Sequence, residues 1–259
     1  MHRFTCVVAL IFVAAGACVG TARSVGRGLP NNCVGCSFEG RDLHGADLSG
    51  VSYVGADFTH ANLRDANLRG ANLVGSDFEG ADLRGADFRK GHLAGIDLRG
   101  ARITGARFDG ADMAGVDLRG TLAGASDADA RSVLSRCVGC DLRGASLENR
   151  DLSGIGIVGA DLRDVKARGV RLSEADLQGV DFGGADLRDA NLHGARLCSR
   201  NDGGAQPIGC ADFRDANVNG ADFRGTLICE GRSPHTCTAL DAATLRAHAR
   251  SGLAGATLP

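Results

Sequence analysis

From Phe38 to Leu118 a large apolar residue recurs at every fifth position without a slip. Each such residue is termed a centre. Two residues before it stands a small or apolar residue, most often Ala, as at Ala46, Ala56, Ala66 and Ala81. Two residues after it stands Gly, except at His60, Asp65 and Lys90. A helix turns about 100° per residue, so a period of five gives it no single apolar face. A strand alternates by two, which puts each centre and the residue two before it on one side. Alternation then fails, and Gly marks the failure. The pattern predicts short strands joined by corners, with both apolar positions inward. Units of this kind bury their apolar side only by stacking on neighbours, as in a solenoid.

The pentads ADLSG (46–50), ADFTH (56–60), ANLRD (61–65) and ADLRG (81–85) resemble the pentapeptide repeat family. The resemblance covers roughly residues 33 to 228 apart from two interruptions. It implies an all-β fold, a right-handed parallel β-helix of four pentads per coil, with coils ~4.8 Å apart. Four per coil puts Phe38, Phe58 and Phe78 on one face and Phe88 above Phe108 on another. For function the resemblance is weak, because a fold hosts many roles.

A second block has centres at Leu142, Leu147, Leu152, Ile157, Leu162, Ala167, Leu172, Leu177, Phe182, Leu187, Leu192 and Leu197, then Phe213, Val218, Phe223 and Ile228. It is less regular, and Arg150 occupies a nominally inward position. Both blocks open with Cys-Val-Gly-Cys, at 33–36 and 137–140, which marks an internal duplication. The expected organisation is a signal peptide (1–22), a linker (23–32), block 1 (33–123), a helical interruption (124–136), block 2 (137–228, with a loop insertion at 198–210) and a C-terminal loop and capping helix (229–259). Ser126 is placed to cap the inserted helix, with Asp127 and Asp129 in its first turn. A second helix is expected over Thr238–Arg250. Solenoid ends expose core and open backbone edges, so covering elements are expected there. The two blocks are expected to form one stack, with the interruption as an excursion.

Residues 1–22 carry Arg3 and then an apolar, uncharged run from Cys6 to Val19, the pattern of a secretory signal. Cleavage after Ala22 would leave eight of the ten cysteines. Ala15-Gly16-Ala17-Cys18 loosely resembles a bacterial lipobox, and cleavage there would make Cys18 a lipidated N-terminus. The expected location is secreted or periplasmic, with membrane attachment only if Cys18 is lipidated. An oxidising compartment favours disulfides. The candidate pairs are Cys33 with Cys36, Cys137 with Cys140, Cys198 with Cys210 and Cys229 with Cys237. Reduced core cysteines and metal or redox chemistry are the alternatives for the two CxxC motifs.

Composition adds exclusions. With 39 Gly, one Tyr, no Trp and a formal charge of −2, the chain has no strong field for nucleic acid or acidic lipid. Asp42, Asp47, Asp57, Asp82, Asp87 and Asp97 form a repetitive outward ladder, without the contrasting environments that acid–base pairs need. No nucleophile–base pair and no phosphate loop is present in the sequence, so no enzyme activity and no cofactor is expected. Arginines after the centres, such as Arg64, Arg69, Arg84 and Arg99, lie near outward Asp and are expected to be neutralised by them. Sorting by fours leaves one outward row apolar, namely Val54, Val74, Ala94 and Ala114, with Val158 in the matching place of block 2. Such a row suits a covered or partner-binding surface. The expected role is a non-enzymatic scaffold for an unidentified protein partner or a second copy. The alternatives are a DNA mimic inhibiting a topoisomerase, which the resemblance to the pentapeptide repeat family implies and which needs an acidic face and a cytoplasmic address, and a binder of envelope polysaccharide.

Overall fold

The computed structural model describes residues 29–200, 207–230, 237–243 and 255–259. Its framework is a parallel β-solenoid in which position n bridges position n+20, as in Asp57 to Asp77 to Asp97 to Asp117. Four pentads therefore make one coil and four faces. Face 1 carries the centres Cys33, Tyr53, Leu73 and their successors. Faces 2, 3 and 4 begin at Phe38, Leu43 and Leu48.

Each side is shorter than an ordinary strand. Most sides contain a single bridged residue, the one before the centre, followed by a turn. The cause is arithmetic: a pentad spends two of its five residues on the corner. The residue three beyond most centres donates its N–H back to the centre's carbonyl, as from Arg41 to Phe38 at 3.0 Å, closing a β-turn. The residue two beyond the centre has positive φ, as position i+2 of a type II turn requires. Gly meets that demand without a Cβ penalty. His60, Asp65 and Lys90 adopt the same conformation at φ 57°, 55° and 60°. The Asp or Asn before the centre has a local role too. Its Oδ1 accepts the N–H two residues on, as in Thr59 to Asp57 at 2.9 Å and Arg99 to Asp97 at 2.9 Å.

The bore is filled by the centres and their small companions, which are buried almost without exception. Phe38, Phe58 and Phe78 stack with ring centroids 4.8 and 4.7 Å apart, and Phe88 lies 5.2 Å from Phe108. Cys137 and Cys140 are fully buried, whereas Cys33 and Cys36 are half-buried at the start of the stack. There β1 (Asn32–Val34) pairs in parallel with β2 (Ser52–Val54), and the Tyr53 hydroxyl donates to the Pro30 carbonyl.

One stack passes through the interruption. Asp117 bridges Asp141, so face 2 runs on with four extra residues, and face 1 continues as Gly115 donates to Val138. The inserted segment replaces faces 3 and 4 of one coil only. It contains α1 (Asp127–Leu134), capped by Ser126 and Asp129 in a capping box, whose Ala130, Val133 and Leu134 fill the bore. A missing strand leaves ladder groups unpaired on both sides, and such groups are expensive to bury. Side chains replace its backbone. Asp129 Oδ1 accepts from Gly105 N–H at 2.8 Å, where the next coil's carbonyl would otherwise sit. Asp127 Oδ2 accepts from Asp151 N–H at 3.1 Å, and Arg131 donates to the Asp151 and Ser153 carbonyls at 3.3 and 2.8 Å. Arg150 uses its inward position to donate to the Leu122 and Ala125 carbonyls, at 2.9 and 2.8 Å, and pairs with Asp127.

The second insertion begins in β3 (Arg196–Arg200) and returns in β4 (Pro207–Ile208), antiparallel to it. The ladder resumes with Asp181 bridging Asp212. β5 (Leu227–Glu230) adds in parallel to β3, and β6 (Cys237–Ala239) folds back antiparallel on β5. Thr238 and Ala239 are therefore strand, which corrects the expected helix start. Leu240 donates its N–H to the Thr226 carbonyl and is buried, and helical backbone begins only at 242. The rest of that expected helix, 244–250, lies outside the described residues, as do residues 1–22 with Cys18. A last segment the sequence reading missed covers face 4: Thr257 bridges Asp222.

Candidate functional site

The outer surface is decided by two residues per pentad, the one before and the one after each centre. On face 2 both are charged from Asp97 to Arg163. Asp97, Asp117, Asp141, Asp161 and Asp181 stand one per coil before the centres, with Arg99, Arg119, Arg143 and Arg163 after them. Each arginine pairs with the Asp two residues back and reaches the Asp of the next coil. Arg119 lies 2.5 Å from Asp117 and 3.4 Å from Asp141; Arg143 lies 2.6 Å from Asp141 and 3.6 Å from Asp161. Hydrogen bonding from Arg163 holds the Asp161 carboxyl below its usual range. On the other faces the same geometry recurs in single pairs, Arg84 with Asp82, Arg89 with Asp87 and Arg188 with Asp186. Arg224 lowers Asp222 to about 2. The acidic ladder is thus neutralised at short range at Asp82, Asp87 and Asp97, whereas Asp42, Asp47 and Asp57 accept hydrogen bonds from Asn62, Asn67 and Thr59 instead. The expected neutralisation of Arg64 and Arg69 is not seen among the described residues, because Asn62 and Asn67, not Asp, stand two residues before them.

At the start of that ladder the carboxylates of Asp77, Glu79 and Asp97 lie close together. Arg99 pairs with both Glu79 and Asp97 at 2.6 and 2.7 Å, so the cluster is already neutralised on one side. The open depression beside α1, lined by Asp127, Ser146, Glu148, Asn149 and Arg150, is polar, and its arginine is occupied by backbone carbonyls.

Face 1 differs. The residues after its centres are Val34, Val54, Val74, Ala94, Ala114, Val138 and Val158, one per coil over seven coils. Among the described residues the large apolar side chains left exposed are Val34 (84%), Val74 (38%) and Val138 (46%), and all three stand in this row. The corner beside each is Gly, from Gly35 through Gly159, and a Cβ added at any of them would meet nothing. The row is therefore flat-edged. Val54, Ala94 and Val158 are half-exposed and Ala114 is exposed. The sequence reading found five members of the row and missed Val34 and Val138. The signal was in the CVGC motifs, whose first cysteines occupy centres and whose valines must then point out.

The row ends at Gln178, only 6% exposed, whose Nε2 has no hydrogen-bond partner. Its neighbour Gly179 lies against Gly209, on the return limb of the second insertion. Cys198 and Cys210 are disulfide-bonded at the base of that insertion, and Cys33–Cys36 and Cys137–Cys140 are disulfides as well. Cys237 is disulfide-bonded, and the β5–β6 register sets it opposite Cys229. The disulfides hold the frame on which face 1 is displayed.

The pentapeptide repeat family model matches residues 42–80, 54–89, 81–120, 135–173 and 157–194, together more than half of the chain. This chain belongs to the pentapeptide repeat family. Membership implies the right-handed quadrilateral β-helix, a fold whose proteins are generally non-enzymatic structural or interaction scaffolds. Among solved structures the chain is similar to HetL, a pentapeptide repeat protein involved in heterocyst differentiation regulation from the cyanobacterium Nostoc sp. strain PCC 7120. Identity is 28%, over 75% of this chain and 84% of that one, with a TM-score of 0.39. A pentapeptide repeat protein of the Arabidopsis thaliana thylakoid lumen is 30% identical over 36% of this chain and 68% of its own, with a TM-score of 0.30. QnrB1, a plasmid-mediated fluoroquinolone resistance protein, is 18% identical over 76% and 93%, with a TM-score of 0.33. No curated protein matches the chain significantly.

Proposed function

We propose that this pentapeptide-repeat protein is an exported, non-enzymatic scaffold that docks another protein molecule through face 1. The carrying observation is that, among the described residues, the exposed large apolar side chains fall in one straight row, while the arginines of face 2 from Arg99 to Arg163 are each paired with aspartate. Apolar surface concentrated in one patch marks an interaction site more often than scattered apolar residues do. A row of solvated, paired carboxylates offers no acid–base contrast, which supports a non-enzymatic role. The alternating ladder of face 2 also weighs against a DNA mimic, because from Asp97 to Asp181 each acid has an arginine beside it. Export is supported by the apolar run before residue 22 and by the number of disulfides.

Fractionation of cells expressing the full chain tests the address. The product should lie outside the cytoplasm, and Cys18→Ala should release it from membranes if it is lipidated. Cytoplasmic retention of the intact chain would overturn export. A photoreactive residue placed at Val74 should cross-link to a protein, and one at Arg69 on face 4 should not. Equal cross-linking from both positions would remove face 1 from the proposal.

A further inference from the structure

The proposed docking face leaves open which protein it takes. We infer that it takes a second copy of this chain, face 1 against face 1, with the two columns antiparallel about a two-fold axis through Ala94. The inference rests on the reading of face 1 as a docking face.

Three observations carry it. The first is charge. Face 2 against face 2 would bring two aspartate ladders together, whereas on face 1 the row after the centres carries no charge over seven coils and the row before them carries one acid, Asp112, and one arginine, Arg136. A self-complementary contact sets one patch against its own copy, so it suits a patch whose residues do not repel one another.

The second is pattern. The row reads Val, Val, Val, Ala, Ala, Val, Val at equal steps of one coil. Turning one column end over end about an axis through Ala94 uses every member. Val34 then faces Val158 of the second copy, Val74 faces Ala114 of the second copy, and Ala94 faces itself. A large residue meets a small one beside the axis, and large residues meet at both ends.

The third is the flanking row of residues before the centres. This rotation keeps that row on the same side, so it meets its own copy. Asn72 then lies opposite Asp112 of the second copy, an amide donor against a carboxylate. Asp112 is exposed, and one of its oxygens, Oδ1, already accepts the Ala114 N–H at 3.3 Å. His92 meets its own copy at the axis.

Area sets the strength. Seven coils span about 29 Å and one side about 10 Å, so each copy offers roughly 300 Å² of flat face. A standard stable interface takes about 800 Å² from each partner. The dimer is therefore weak and forms only at high concentration.

Sedimentation of the oxidised full chain over a wide concentration range tests this. The average mass should climb toward twice the monomer mass, and Val74→Arg and Val138→Arg should each abolish the climb while Arg69→Ala leaves it. Mild oxidation of Ala94→Cys should give a disulfide-linked dimer. Val34→Cys alone should not, but a mixture of Val34→Cys with Val158→Cys should. A constant mass at every concentration would overturn the second copy, even if Val74 still cross-links to a different protein. A dimer in which Ala94→Cys fails to link and Val34→Cys links to itself would overturn the antiparallel register.

Discussion

Faces 1 and 2 stand side by side on the same column, share its corners and its core, and differ only outside. Beneath face 1 lie Tyr53, Leu73 and Leu93, and beneath face 2 Phe58, Phe78 and Leu98, all fully buried. Outside, from Asp97 to Asp181, face 2 is a zipper of Asp and Arg in which each charge has a partner within one coil. Face 1 is a row of Val and Ala edged by Gly. The fold constrains the inner positions and the corner. It leaves the residue after each centre free, so function can be written there without altering the frame.

The comparison breaks first if the inner positions are not equivalent. Phe78→Ala and Leu73→Ala should each destabilise strongly, by about 3–5 and 2–5 kcal/mol. Thermal unfolding followed by circular dichroism measures both. A large effect under one face and none under the other would mean that the faces are not built on one core.

A smaller but still substantial loss is expected where the column departs from its repeat. Arg150→Ala removes donors from the Leu122 and Ala125 carbonyls and should lower stability by about 1–3 kcal/mol. Limited proteolysis should then cut near 123–128 while faces 1 and 2 stay paired through this coil. Protection equal to that of the unaltered chain would show that the guanidinium does not hold the excursion.

Acid titration separates the two faces by charge. Hydrogen bonding from arginine lowers the folded-state pKa of Asp161, of Asp82 and Asp87 on other faces, and of Asp222, the last to about 2. A lowered folded pKa contributes stability that is present above the unfolded value of about 4. That contribution is lost as pH falls from about 4 toward 2. Melting temperature should fall across that window and less steeply in high salt. A melting temperature that rose on acidification would reverse the assigned sign.

The smallest effects on stability are expected outside. Arg119→Ala should leave the melting temperature nearly unchanged, because the pair is largely solvated. Val74→Arg should change stability by no more than about 0.5 kcal/mol, yet remove association. Calorimetry and sedimentation of the same sample test both halves of that statement. A Val74→Arg protein that melts like a core variant would place Val74 inside the fold.

Much of this was legible in the residues. Period five with Gly at its end requires a corner every five residues, and the stacking of Phe38, Phe58 and Phe78 follows from four corners per turn. The N-cap at Ser126 was legible too, since an Ser-x-x-Asp signal is local. Val34 and Val138 were legible as well, since Cys33 and Cys137 fall at centre positions, but the row read from the sequence includes only pentads with Tyr, Leu, Met or Ile at the centre. Thr238 and Ala239 read as helix from their amphipathic neighbours, but pairing with β5 overrode that local preference.

By itself, then, the sequence determined which side chains point inward and where the chain turns, because each is a matter of local sterics and period; four pentads to a coil came from the family resemblance. Only the tertiary structure decided how a coil can lose two of its sides and survive. Gly105 and Asp151 are far apart in sequence, and nothing near either one announces a missing partner. Stacking brings both to α1, where Asp127, Asp129 and Arg131 supply the acceptors and donors that an absent strand would have offered. Hydrogen-bond satisfaction is a property of the assembled ladder, so no stretch of the chain could reveal it alone.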